Sequence, residues 1–243
     1  MKNLVIVGTG IKYFAHLTHE AVGYIKNSDI VLYLANEPLI EEYIEEEAQK
    51  CFNLSKLYFS GKPRQESYDN ITSFVINTFK SYNNVCFAVY GHPTFCIDST
   101  INTAMKSKDL DIKVTICPAI SSLDCMFCDL MIDPCTLGYS VYEASSFIEK
   151  KPNINKNGYL ILLQVGFIGN LNEIDYHNNN KKKLLELQEV LINAYGSNNL
   201  CYFYEASLYP SIEPISEKTT LENMNKCLTT SLSSLIIFPL EIS

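Results

Sequence analysis

The chain has 243 residues, of which 47% are hydrophobic and 19% charged, and its net charge is -8. This is too apolar for a disordered chain, and it is long enough for one large domain or two small ones. The acidic balance argues against a protein that grips phosphate backbones, an affinity built from Lys and Arg, and no apolar run approaches the ~20 residues that span a bilayer.

Residues 4–7 read as a buried first strand, followed by the loop Gly8-Thr9-Gly10. The apolar run is too short for a secretory signal. Residues 18–27 have helical character, with Thr18 as N-cap and Glu20 in the first turn. A second strand covers 30–34. Pro38 then opens an acidic helix with Leu39, Ile40, Tyr43 and Ile44 on one face. Residues 66–80 form a helix with Ile71, Phe74, Val75 and Phe79 on its stripe, 85–89 a strand, 99–106 a helix and 113–117 a strand. Strands alternating with helices imply a mostly parallel sheet, whose ligands bind beyond the carboxyl ends of the strands.

Near Pro118 the pattern changes, and this divides the chain into an N-terminal domain, 1–118, and a C-terminal domain, 119–243. A helix at 121–130 is followed by strands at 140–143, 159–164, 201–205 and 234–238. A helix at 181–195 carries Leu184, Leu187, Leu191 and Ala194 at helical spacing, with Gly196 as its C-cap. The Asn-rich run at 177–180 reads as a surface turn.

Several short patterns invite chemistry. Gly8-x-Gly10 after a strand lacks the third glycine of a dinucleotide loop, because position 13 is Tyr13. Cys125-x-x-Cys128 falls inside a helix without the further ligands of a zinc site, so no metal is expected. The nine cysteines are an odd set scattered through core-like segments, which suits buried thiols in a reducing, cytoplasmic setting. The turn Tyr90-Gly91-His92-Pro93 follows a buried strand; glycine there permits close approach of a ligand, although His92 would equally satisfy a local bond. Arg64 is the only arginine in a Lys-rich chain and stands four residues before Tyr68, a spacing that on a helix would put both side chains on one face. Its planar fork makes paired bonds that an ammonium cannot reproduce.

Six segments together resemble one family: Leu-Val-Ile-Val-Gly-Thr-Gly at 4–10, Ile-Lys-Asn-Ser-Asp-Ile-Val at 25–31, Val-Tyr-Gly-His-Pro at 89–93, Pro-Ala-Ile-Ser-Ser at 118–122, Asp-Leu-Met-Ile-Asp-Pro at 129–134 and Tyr-Glu-Ala at 142–144. They are similar to the tetrapyrrole methylases and, at 89–93, 129–134 and 142–144, most similar to the borosin peptide α-N-methyltransferases of the split type. The resemblance runs from residue 4 to about 240. It departs from the family at Cys128 (commonly Ala), Met131 (Gly) and Thr94 (often Gly), changes that would alter the shape of a cofactor pocket. It implies a two-domain α/β fold with a parallel N-terminal sheet, a mixed C-terminal sheet and an active site in the cleft between them. It also implies S-adenosylmethionine as methyl donor, S-adenosylhomocysteine as product, and no metal. Gly8, Gly10, Tyr90, His92, Thr94, Phe95, Ser121, Ser122 and Gln164 would surround the donor, and Tyr58, Arg64, Tyr68 and Tyr90 the acceptor nitrogen.

The proposed chemistry needs such groups. A peptide nitrogen is a poor nucleophile because its lone pair is shared with the carbonyl. A base must take the N–H proton and a donor must stabilise the carbonyl oxygen. A phenol beside a guanidinium serves either role, and the sequence does not say which tyrosine does which. A tetrapyrrole C-methyltransferase, or a silent cofactor-binding module that regulates a partner, are the other readings. The family resemblance further implies a homodimer. Because only residues 239–243 follow the last apolar run, the expected acceptor is a separate precursor peptide and not the chain's own tail. No nucleic acid or membrane partner is expected.

Overall fold

The computed structural model describes residues 1–57, 64–169 and 181–240. Tyr58, the Asn-rich run at 177–180 and residues 241–243 lie outside them. Two compact units share the chain: Met1–Ser122 with Ser207–Ile212, and Leu123–Ala206 with Glu213–Ser243.

In the first unit, β1 (Asn3–Gly8), β2 (Ile30–Leu34), β3 (Cys51–Asn53), β4 (Asn84–Val89) and β5 (Lys113–Cys117) alternate with α1 (His19–Asn27), α2 (Pro38–Glu47), α3 (Arg64–Thr78) and α4 (Asp98–Asp109). All strand pairs are parallel, in the order β3-β2-β4-β1-β5. Successive side chains of a strand point to opposite faces. Leu4, Ile6, Leu32, Val85 and Phe87 therefore pack in one layer with Ile71 and Val75 of α3 and Ala104 of α4. Val5, Val7, Val31, Tyr33, Cys86 and Ala88 pack in the other with Ala21 and Ile25 of α1 and Ile40 and Ile44 of α2. Each Val, Leu, Ile or Phe side chain among them contributes about 1.5–3 kcal/mol when fully buried, which makes these layers the main support of the unit.

The caps follow local chemistry. The Thr18 hydroxyl accepts from the Ala21 N–H at 3.1 Å, as its place before α1 predicts. The expected face of α2 is narrower than its sequence implies: Ile40 and Ile44 are buried, whereas Leu39 is 37% exposed.

The second unit contains α5 (Ser122–Asp129), α6 (Pro134–Leu137), β6 (Tyr139–Glu143), α7 (Ala144–Lys150), β7 (Tyr159–Leu163), α8 (Lys181–Tyr195), β8 (Leu200–Glu205), β9 (Ile215–Thr220) and β10 (Ser234–Ile237). Its sheet runs β6-β7-β10-β8-β9; β6 and β7 are parallel and the other pairs antiparallel. Leu184, Leu187 and Leu191 of α8 close the core against Leu160, Leu162, Phe203, Leu235 and Ile237. Two of the borosin-like sequence segments, 129–134 and 142–144, explain themselves here as structural devices. Asp133 accepts from the Cys135 N–H and caps α6, Glu143 accepts from Ser145 and Ser146 and caps α7, and Asp129 accepts the buried Tyr204 hydroxyl at 2.6 Å.

Met131 is explained in the same way. After α5 the Met131 N–H bonds the Cys128 carbonyl and the Ile132 N–H bonds the Phe127 carbonyl, the double closure of a helix that ends in a left-handed residue. Met131 has φ 54° and is 91% exposed, so a pocket-lining role gives way to a turn that favours glycine. Left-handed backbone costs a non-glycine residue ~1–2 kcal/mol, against ~0.4–1 kcal/mol for the extra freedom glycine brings to the unfolded chain. Met131→Gly is therefore expected to stabilise by about 0.5–1 kcal/mol, read as a rise in the denaturant midpoint at unchanged slope.

The cysteines are less uniformly buried than their surroundings in sequence suggest. Cys86, Cys117, Cys125 and Cys201 are buried, but Cys96, Cys128 and Cys135 are exposed, because they fall in loops or on the outer side of a helix. None of the nine forms a disulfide.

Candidate functional site

Sheet order decides where the first unit offers a site. From β1 the chain crosses to β2 and on to β3; from β3 it returns to β4 and then passes to β5 on the far side of β1. Right-handed crossovers put helices for the two directions on opposite faces, which is what the two core layers show. The connections leaving neighbouring β1 and β4 thus part in opposite directions, and a crevice opens beyond their carboxyl ends.

The loops at that crevice are held by close backbone contacts. The Gly10 N–H donates to the Gly91 carbonyl at 3.2 Å and the Gly91 N–H to the Gly10 carbonyl at 3.0 Å. The Thr9 N–H donates to the Val89 carbonyl at 2.8 Å and the Tyr90 N–H to the Leu34 carbonyl at 3.0 Å. A side chain at Gly8 would stand 2.2 Å from the Gly91 carbonyl oxygen, so this glycine is required by the approach of the β4 turn. Gly10, at φ 72°, would place a side chain 2.3 Å from the Cβ of His16. At Gly91 a side chain would meet only the Ile11 methyl, at 3.5 Å.

The first unit's candidate residues after β4 and β5 stand in the loops of this edge. Tyr90, His92 and Phe95 are half-buried and Thr94 exposed in the loop after β4; Ser121 is buried and Ser122 half-buried after β5. His92 braces its own turn, its Nδ1 lying 3.2 Å from both the Thr94 N–H and the Thr94 hydroxyl. Thr100, fully buried in α4, donates its hydroxyl to the Pro93 carbonyl and so ties the turn to the helix. Arg64 is the first residue of α3. Half-buried Tyr68, one turn later, heads the stripe that continues through buried Ile71 and Val75. In a crossover the helix begins where the preceding strand ends, so this turn of α3 also belongs to the carboxyl edge. Gln164 belongs to the second unit. It follows β7 in left-handed backbone, φ 55° and ψ 36°, a conformation costly for a non-glycine residue and common at functional sites.

Three contributors to the edge carried no recognisable signal in the sequence. His16 accepts the Ile11 and Lys12 N–H groups on Nδ1, at 3.3 and 3.0 Å, and so shapes the loop after β1. Glu37, only 3% exposed, accepts the Ile40 N–H at 2.8 Å and the Tyr209 hydroxyl at 3.0 Å. Tyr209 comes from the segment that rejoins the first unit after β8. The pairing with Glu37 raises the phenol's pKa by favouring its protonated form. At the end of β5, burial, with Glu20 beside it, pushes the Cys117 thiol up to about 11. Among the described residues, no cluster of His, Cys, Asp and Glu stands where it would hold a metal, and no helix is long and apolar enough to cross a membrane.

Known proteins resemble this chain, some in sequence and others in fold. A methyltransferase/ribosomally synthesized type I borosin cyclic peptide precursor of Coprinopsis marcescibilis is 30% identical over 94% of this chain and 60% of its own length. A protein of the same description from Serendipita vermifera subsp. bescii is 31% identical over 92% of this chain and 54% of its own length. The chain thus spans little more than half the length of these relatives. The uroporphyrin-III C-methyltransferase of Thermus thermophilus, solved with S-adenosyl homocysteine, superposes with a TM-score of 0.67 over 99% of both chains at 15% identity. Residues 3–199 match the model of the tetrapyrrole (corrin/porphyrin) methylases, and the chain belongs to that family.

Proposed function

We propose that the protein is an S-adenosylmethionine-dependent methyltransferase that methylates backbone amides of a separate, ribosomally made precursor peptide. The observation that carries the methyltransferase and its ribosomal-peptide acceptor is the similarity, over more than nine-tenths of the chain, to relatives whose names join a methyltransferase to a ribosomal peptide precursor; those names join the two in one protein, so the separate acceptor is the part that the mass measurement below decides. The crevice at β1 and β4 supports it: hydroxyls of Thr94, Ser121 and Ser122 and the glycine turns suit a nucleoside carrying an amino-acid tail. S-adenosylmethionine supplies a methyl group already activated on a sulfonium. Gly8, Gly10, Tyr90, His92, Thr94, Phe95, Ser121, Ser122 and Gln164 are proposed to hold it, and Tyr58, Arg64, Tyr68 and Tyr90 to orient the acceptor amide, draw off its proton and stabilise its oxygen. The working enzyme is proposed to be a homodimer, the commonest closed assembly of soluble proteins.

Calorimetry should give saturable, one-to-one binding of S-adenosylhomocysteine to the purified chain. Incubation with S-adenosylmethionine and a candidate precursor should add successive methyl masses to that peptide, placed on backbone nitrogens by fragmentation. Methylation of a tetrapyrrole in place of the peptide would overturn the acceptor, and methyl groups on this chain's own backbone would overturn the separate substrate.

A further inference from the structure

We propose that Tyr209 and Glu37 are positioning residues of the donor site, which clasp the loops framing the Tyr90–Gly91 turn. This rests on the methyltransferase reading. Ser207–Ile212 leaves the second unit's sequence and joins the first. It is braced internally: the Ser207 hydroxyl donates to the Tyr209 carbonyl at 2.8 Å and accepts the Tyr209 N–H at 3.2 Å, and the Ile212 N–H donates to the Tyr209 carbonyl at 3.2 Å. Two bonds pin this short strap to the sheet edge. The Leu208 carbonyl accepts the Tyr13 N–H at 2.7 Å, and the Tyr209 hydroxyl donates to Glu37 at 3.0 Å.

Both anchors lead to the same turn. Tyr13 lies three residues beyond Gly10, which exchanges two backbone bonds with Gly91. Glu37 lies three residues beyond Leu34, whose carbonyl accepts the Tyr90 N–H. The strap therefore grips the loops after β1 and β2, and these in turn grip the turn after β4.

Capping α2 does not by itself explain Glu37. The cap uses Oε2, and shorter residues cap helices better. A carboxylate only 3% exposed is costly to bury unless its oxygens are bonded, and Oε1 is taken by Tyr209. The choice of glutamate at this position thus has a reason only when the strap is in place.

Tyr209→Phe keeps the ring and removes the donor. It is expected to raise the dissociation constant for S-adenosylhomocysteine roughly tenfold, the scale of one hydrogen bond to a charged group. KM for S-adenosylmethionine should rise with it while kcat stays within about twofold, a split that general loss of stability does not produce. Hydrogen exchange should show faster loss of protection at the Tyr13 amide. Combined with Glu37→Gln, the two losses should fall well short of additive, because both break one contact. Wild-type binding that Tyr209→Phe leaves within twofold, or a loss confined to kcat, overturns the clasp alone. A wild-type chain that binds no S-adenosylhomocysteine overturns the methyltransferase reading and the clasp with it.

Discussion

Arg64→Lys is expected to keep the fold and the affinity for S-adenosylhomocysteine while lowering methyl transfer by roughly 100–1,000-fold, the scale of losing one aimed donor at a developing oxyanion. Under the proposed reaction, the amide must lose its proton as its carbonyl oxygen gains charge. Phenols at Tyr58, Tyr68 and Tyr90 are proposed to supply the groups, and a guanidinium would both favour a phenolate and hold two oxygens in one plane. Lysine keeps the charge but presents it as a rotating point, so the phenols lose their common orientation. The fold should be indifferent, because position 64 opens α3 and the two residues have similar helix propensity. Single-turnover transfer, measured beside circular dichroism and calorimetry, separates these terms. A Lys variant within about threefold of the wild type would remove Arg64 from the chemistry.

Gly8→Ala is expected to be the more damaging change to stability. The added methyl would lie 2.2 Å from the Gly91 carbonyl oxygen, 2.6 Å from the Ala119 Cβ and 2.9 Å from the Pro93 ring. A carbonyl in the doubly bonded Gly10–Gly91 bridge, a short side chain and a proline ring offer no flexible end to move aside. Overpacking of this kind costs about 3 kcal/mol, the upper end of the usual range, and for a chain of this size lowers the melting temperature by roughly 6–12 °C. Gly91→Ala is the control. Its methyl would meet only Ile11, at 3.5 Å, so the penalty is that of φ 68° alone, about 1–2 kcal/mol. Thermal melts of the two variants decide the matter: if Gly8→Ala costs no more than Gly91→Ala, β1 and the β4 turn do not approach as closely as described. Because the same approach shapes the crevice, Gly8→Ala should also weaken S-adenosylhomocysteine binding at temperatures where it stays folded.

Much of the local architecture was legible from residue order, because its causes are local. Thr18 before α1, Pro38 opening α2, the leucine stripe of α8 and Gly196 at its end each act within a turn or two of chain. The apolar runs of β1, β2 and β4 are long enough to announce strands buried on both faces. The carboxyl-edge position of Gly8, Gly10 and Tyr90 followed from those strands, whereas the helix expected at 66–80 begins at Arg64 and so takes in Arg64 as well as Tyr68.

Other features had no local cause and waited for the tertiary structure. Strand neighbours are chosen by crossover direction, so nothing within β4 says that it lies between β1 and β2 and thereby creates the crevice. β9, with the sequence Ile-Ser-Glu-Lys-Thr-Thr, is held at a sheet edge by backbone bonds to β8 and needs no apolar alternation, which is why no strand was expected there. Met131 stood out in sequence only as a departure from glycine; the helix end that makes it left-handed gave the reason. The pairing of Glu37 with Tyr209 spans 172 residues. Sequence alone therefore determined the family, most of the elements and the carboxyl-edge position of Gly8, Gly10 and Tyr90, because caps and periodicity are short-range. Only the tertiary structure decided which loops meet at that edge and what holds them, because hydrogen bonds between distant segments exist only once the chain has folded back on itself.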